Sequence, residues 1–267
     1  MYLTDFHCHS NCSPDGNVPI LEMAAAGKAA GLSEMCITDH CDLLNGAGTR
    51  TLTFHWEPVL EQYHQAKTLE EERFLLRLGL ELGGAQVSPE HARQILSGAA
   101  LDFVIGSVHN KSESLGGGDF YYVRYDTPQL CHEMLEDYFE SLLQVAGLGL
   151  YDSLGHIIYP LRYMNRRDGQ TVTLEPHWPV IRRIFSAVLD QGKAIELNTY
   201  CGRTVEDWRE TLELYHSMGG RKVTLGSDAH HPDNMGRGVA ESCLLLRELG
   251  FESITTYQNR RPVAHSL

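Results

Sequence analysis

The chain has 267 residues, 42% hydrophobic and 21% charged, a balance that suits one large α/β domain or two small ones and excludes a disordered polymer. Its 22 basic and 35 acidic residues leave a formal charge of −13, which repels phosphate backbones and disfavours general nucleic-acid binding. No apolar run approaches a membrane span, no secretory pattern opens the chain, and seven cysteines without a CxxC read as reduced thiols, so a cytoplasmic location is expected.

In chain order, strands are expected at Tyr2–Phe6, Glu34–Thr38, Leu75–Leu80, Phe103–Ser107, Ser153–Ile157, Ala194–Leu197 and Val223–Gly226. Helix-like stretches separate them. The first runs from about Ile20 to Ala30 and stops at Gly31, and the second from about Glu57 to Glu72. A third opens at Ser88-Pro89 and a fourth at Thr127-Pro128, each with a capping residue and a first-turn proline. A fifth follows Pro176 and ends near Gly192, a sixth spans Thr204 to Met218, and the tail beyond Gly238 reads as helix, turn and helix. Strands alternating with helices imply a parallel sheet with crossover connections, either open or closed into a barrel. No GxGxxG or Walker-type loop supports an open nucleotide-binding sheet. Without repeats or a linker, residues 1–267 read as a single domain.

Each expected strand is followed by ligand-type residues. His7 and His9, then Asp15, follow the first; Asp39 and His40 follow the second; Glu81 ends the third. His109 follows the fourth, His156 the fifth, Glu196 and Asn198 lie at the sixth, and Asp228 and His230 follow the seventh. In a barrel of parallel strands these ends converge on one face. Neutral imidazoles and carboxylates suit Zn, Mn or Fe. Six histidines and three carboxylates (Asp15, Glu81, Asp228) exceed the needs of one ion and fit two or three, with Glu81 placed to bridge. Cys8, between His7 and His9, is expected to face the opposite way and pack.

Together DFHCHS, ITDH, GSVH and GSDAH resemble the four signature motifs of the PHP (polymerase and histidinol phosphatase) superfamily. GLELG and GHI fall where that family places two further ligands, and the match runs from Asp5 to His230. The resemblance implies a distorted seven-stranded (β/α)7 TIM-like barrel with a trinuclear metal centre. One metal would take His7, His9, Glu81 and Asp228; a second Glu81, His109 and His156; a third Asp15, His40 and His230. Asp39 would support these ligands, as would Asp5.

Within the superfamily the chain is similar to the single-domain histidinol-phosphate phosphatases. That branch implies hydrolysis of L-histidinol phosphate to L-histidinol and phosphate, in histidine biosynthesis. The expected partner is therefore a small phosphate monoester, with no nucleic acid and no membrane; the oligomeric state is left open. Lys111, Arg162, Asn198 and Arg203 lie on loops after ligand strands and are expected substrate contacts, since a phosphate needs cationic donors. Arg162 and Arg203 would hold phosphoryl oxygens during the reaction. His230, or a group bonded to Asp228, would protonate the leaving alkoxide. Ile158 stands where that branch often carries aspartate, a departure that bears on the substrate. Alternatives are a PHP phosphoesterase for a nucleotide, sugar phosphate or phosphotyrosine, a metal-dependent amidohydrolase, and a noncatalytic metal-binding regulator.

Overall fold

Apolar segments flanked by turn residues pair as expected in the computed structural model, which describes residues 1–267. The strands are β1 (Thr4–Cys8), β2 (Glu34–Ile37), β3 (His40–Asp42), β4 (Leu75–Gly83), β5 (Phe103–Ser107), β6 (Ser153–Leu154), β7 (Ala194–Asn198) and β8 (Val223–Gly226). Seven of them lie parallel in the order β1-β2-β4-β5-β6-β7-β8, and the short β3 pairs with β4 beyond the end of β2. The sheet curls until its edges meet. The Asp228 N–H donates to the His7 carbonyl at 2.8 Å, and the His9 N–H donates to the Ala229 carbonyl at 2.9 Å. The result is a nearly closed barrel of seven parallel strands.

Around it lie α1 (Ile20–Ala29), α2 (Trp56–Ala66), α3 (Pro89–Leu96), α4 (Pro128–Leu148), α5 (Trp178–Asp190), α6 (Arg209–Ser217) and α7 (Val239–Glu248). Their termini carry ordinary stop and start chemistry. Thr127 caps α4 by accepting from the Leu130 N–H, and Gly149 ends that helix in the left-handed region at φ 64°. Ser88 does not cap α3; its hydroxyl bonds the His91 ring at 2.8 Å instead. Between helices and strands sits a continuous core of 63 buried residues. A separate plug of Phe6, Cys36, Phe103, Ile105, Ala194 and Tyr257 fills the barrel interior below the strand ends. Phe6 and Phe103 meet edge to face with centroids 5.2 Å apart.

Three local departures from the sequence reading have physical reasons. β1 runs on to Cys8 and slips register against β2 between Asp5 and Cys8. The slip leaves the Asp5 carboxylate accepting the His7 N–H at 3.4 Å and the Ser227 and Gly236 N–H groups at 2.9 Å each, tying β1 to the loop after β8. Cys8 does turn away, its thiol donating to the Cys36 carbonyl. β6 keeps only two ladder residues, because the His156 N–H is taken by the Glu196 carboxylate at 2.7 Å. The tail beyond α7 is not a second helix. It is an antiparallel hairpin, β9 (Ser253–Gln258) and β10 (Arg261–Ser266), turning at Asn259 and Arg260, both at positive φ. The β-branched run Ile254-Thr255-Thr256 favours that outcome, and Tyr257 closes the floor of the barrel by bonding the Asp152 carbonyl.

Candidate metal centre

The strand ends bring their polar residues to one mouth of the barrel, centred on Glu81 near the end of β4, which is fully buried. Its two carboxylate oxygens face two groups of imidazoles. Oε2 lies 3.1 Å from His7 Nε2, 3.5 Å from His9 Nε2 and 2.9 Å from His40 Nδ1. Oε1 lies 2.8 Å from His156 Nε2 and 3.1 Å from His109 Nε2, and those two nitrogens are themselves 3.1 Å apart. Asp228 completes the first group, with Oδ1 3.7 Å from His7 Nε2 and 3.5 Å from His9 Nε2. At the rim, Asp15 Oδ2 stands 3.0 Å from His230 Nε2 and 3.6 Å from His40 Nε2. All nine residues expected as ligands from the sequence therefore meet at one place.

The rings are aimed by what holds their other nitrogens. His7 Nδ1 is bonded to Glu196 Oε1 at 2.6 Å and His109 Nδ1 to Asp42 Oδ1 at 2.7 Å. His9 Nδ1 meets the Ser13 hydroxyl at 3.2 Å, and that hydroxyl donates in turn to Asp39 at 2.8 Å. His230 Nδ1 faces the Asp228 carbonyl at 3.1 Å. Each contact leaves Nε2 free for the centre, as ring-orienting partners do in metal sites. Asp39 thus supports His9 through Ser13. Asp42 and the carboxylate–histidine pair made by Glu196 were not anticipated as supports. The spacing HCD after β2 and the ELN at β7 were the signals available for them.

The donor set fits cations. His7 Nε2, His9 Nε2, His40 Nδ1, Glu81 Oε2 and His230 Nε2 are buried and make no hydrogen bond, although their neighbours lie within contact distance. Electron pairs converging without shared protons are what a bound ion requires. The four nitrogen–oxygen separations from His7 and His9 to Glu81 and Asp228 run from 3.1 to 3.7 Å. A tetrahedron with bonds of about 2.0–2.1 Å has edges of roughly 3.3 Å. His109, His156 and Glu81 make a second, three-donor group with similar edges, open on one side. Burial alone would push the Glu81 carboxyl up, but the His7, His40 and His109 imidazoles hold it well below its usual value. Burial likewise opposes charge on His9, and the His40 and His230 rings add to that, so its pKa falls well below the ordinary histidine value and the ring stands neutral.

The centre opens into a cleft of about 1050 Å³ whose lining includes Asp15, His40, His109, Asp119, Arg162 and His230. Arg162 begins a π-helical turn, Arg162–Arg167, and its Nη1 donates to Asp228 Oδ2 at 3.0 Å. Its guanidinium is held between the rings of Tyr159 and Tyr200, with centroids at 4.3 and 4.5 Å. Asp228 and Tyr200 both adopt positive φ, 59° and 47°, an uncommon backbone state that gathers at functional sites. The other expected substrate contacts sit elsewhere. Asn198 is buried beneath the centre, its amide donating to Asp228 Oδ2 and Glu196 Oε1 at 3.3 Å each, so it braces those two carboxylates instead of facing the cleft. Arg203 is turned out by the left-handed Tyr200-Cys201-Gly202 segment and lines a separate small cavity with Arg166 and Arg237. Lys111 is half-buried in its loop and does not line the cleft.

Glu196 offers a direct test of this arrangement. In Glu196→Gln the amide keeps the volume but loses the charge paired with His7. Metal affinity is expected to fall about 10- to 100-fold, measured by competition with a coloured chelator. An unchanged affinity would remove Glu196 from any part in aiming the ring.

The profile of the PHP domain family matches residues 5–200. A "Probable histidinol-phosphatase" of Thermotoga maritima is 28% identical over 255 residues, covering 94% of each chain. A "Histidinol-phosphatase" of Lactococcus lactis is 24% identical over 263 residues, covering 96% of this chain and 95% of its own. Among solved structures, the histidinol phosphate phosphatase of Lactococcus lactis, complexed with Zn, L-histidinol and phosphate, superposes with a TM-score of 0.83 at 24% identity. That likeness covers 98% of this chain and 99% of the other, and shows a shared fold.

Proposed function

The chain belongs to the PHP domain family, and from that premise we propose that it is a metal-dependent phosphomonoesterase hydrolysing L-histidinol phosphate to L-histidinol and phosphate. The observation that carries the reading is a pair of donor clusters sharing Glu81, opening on a cleft beside the Arg162 guanidinium. Relatives named for that activity match nearly end to end, which supports the substrate.

In this reading His7, His9, Glu81 and Asp228 hold one ion, Glu81, His109 and His156 a second, and Asp15, His40 and His230 a third. Zn, Mn or Fe ions there supply Lewis acidity and ionise water near neutral pH. The chain itself supplies placement. Arg162, clamped between two tyrosine rings, presents its outward N–H groups to a phosphoryl group without having to reorganise. Asp228 anchors that guanidinium from below. His230, the most open of the six rings, has its Nε2 taken by the third ion and its Nδ1 by the Asp228 carbonyl in this reading, so the leaving alkoxide takes its proton from water in the open cleft. The same reading places the enzyme in the cytoplasm, where its seven unpaired thiols stay reduced. No helix is long and apolar enough to cross a membrane.

The test couples metal analysis of the purified protein to phosphate release from histidinol phosphate, nucleotides, sugar phosphates and phosphotyrosine. A strong preference for histidinol phosphate is expected. Comparable rates across the panel would overturn the substrate, and full metal loading without turnover would overturn the reaction.

A further inference from the structure

Four carboxylates line the cleft, and three of them are matched by a cationic or ring nitrogen. Asp15 faces His40 and His230, Asp42 faces His109 and His40, and Asp228 faces Arg162. Asp119 is the exception. It sits on the loop after β5 and caps the short turn Phe120–Tyr122, its Oδ1 accepting the Tyr121 N–H at 2.7 Å. The same oxygen takes the Tyr159 hydroxyl at 3.3 Å. Both bonds use Oδ1, so Oδ2 is left for whatever enters the cleft, and no lysine or arginine reaches the group. Burial pushes the Asp119 carboxyl up, with His109 pulling it back. A carboxylate kept partly dry without a counter-charge is a standing cost that a cationic ligand removes.

Its position fits a short reach from the metal centre. Tyr159, which touches Asp119 through its hydroxyl, has its ring centroid 4.9 Å from that of His156 and 5.2 Å from that of His109. Tyr121 also lines this part of the cleft, and tyrosine faces tolerate cations well. We propose that Asp119 is a specificity residue, binding the ammonium group that histidinol phosphate carries on the carbon next to its phosphorylated methylene. The proposal rests on the histidinol phosphate reading. Asp119 makes no contact with the reacting atoms in this assignment; it selects among phosphate esters by charge.

The experiment compares kcat/KM for L-histidinol phosphate, for 3-(imidazol-4-yl)propyl phosphate, which keeps the ring and lacks the amine, and for p-nitrophenyl phosphate. In the wild type the amine-bearing ester is preferred. In Asp119→Asn the preference for histidinol phosphate over the deamino ester is expected to shrink about 10- to 100-fold, the worth of a hydrogen bond to a charged group. Asp119→Glu, which keeps the carboxylate, should retain most of it. A preference that survives Asp119→Asn overturns this assignment while leaving the function intact. Loss of rate on all three esters in equal proportion also overturns it, as the mark of a merely structural loop residue. A wild type without any preference for histidinol phosphate over p-nitrophenyl phosphate overturns the functional reading, and the role of Asp119 with it.

Discussion

Glu81→Gln is expected to lower kcat/KM for phosphate ester hydrolysis by about 1,000-fold or more, roughly 4 kcal/mol of transition-state stabilisation. The substitution keeps the shape of the side chain and removes its charge. Five imidazoles converge on that one carboxylate, three on one oxygen and two on the other. An amide there would present N–H hydrogens to ring nitrogens that now face an anion. Both donor clusters would lose their shared member at once. Metal content should therefore fall together with rate, and the two are read from the same preparation by elemental analysis and steady-state kinetics. Full activity with full metal content would show that Glu81 bridges nothing.

Arg162→Lys is expected to cost about 100- to 1,000-fold in kcat/KM, with metal content retained. Lysine keeps the positive charge, so a loss of this size would isolate the planar guanidinium as the contribution. Arg162 is 8% exposed, stacked between Tyr159 and Tyr200, and bonded to Asp228 through one nitrogen. The stacking fixes the plane of the fork, and the bond to Asp228 fixes its rotation. An ammonium can satisfy Asp228 or reach a phosphoryl oxygen, but it cannot offer two parallel donors to that oxygen pair while doing so. The measurement is kcat and KM on histidinol phosphate beside metal analysis. A loss below fivefold would place Arg162 as support for Asp228 alone.

The nine ligand-type residues were legible because a parallel barrel converts sequence order into convergence: each strand ends on the same rim, so a histidine or carboxylate after an apolar run is already located. What supports those residues depends on pairings that no local pattern encodes. Asp42 reaches His109 only because the chain after β2 re-enters the sheet as β3, in register with β4 so that His40 lies beside Glu81 and Asp42 beside Gly83. Gly83 is needed there, since a Cβ would collide with the Asp42 carboxylate. Arg203 looked like a phosphate contact from its place after β7. Three consecutive residues at positive φ, Tyr200, Cys201 and Gly202, swing the chain outward before it, and non-glycine residues do not advertise that conformation. The hairpin after α7 was hidden for the same reason, its turn being Asn259-Arg260 without glycine.

The seam where β8 meets β1 carries a further consequence, for how the chain folds and breathes. Asp5 and Ser227 are 222 positions apart, so the barrel closes by a loop that spans most of the chain. Only a few backbone bonds join that edge, and His7 and His9 stand on one side of it with Asp228 and His230 on the other. Closing the barrel and assembling the centre are thus one event, costly in chain entropy. An ion held by His7, His9 and Asp228 would act as a cross-link between the two ends of the chain, much as a disulfide does. Stripping it should loosen this edge first, so amide hydrogens near Cys8 and Ala229 become the earliest reporters of a barrel starting to unroll.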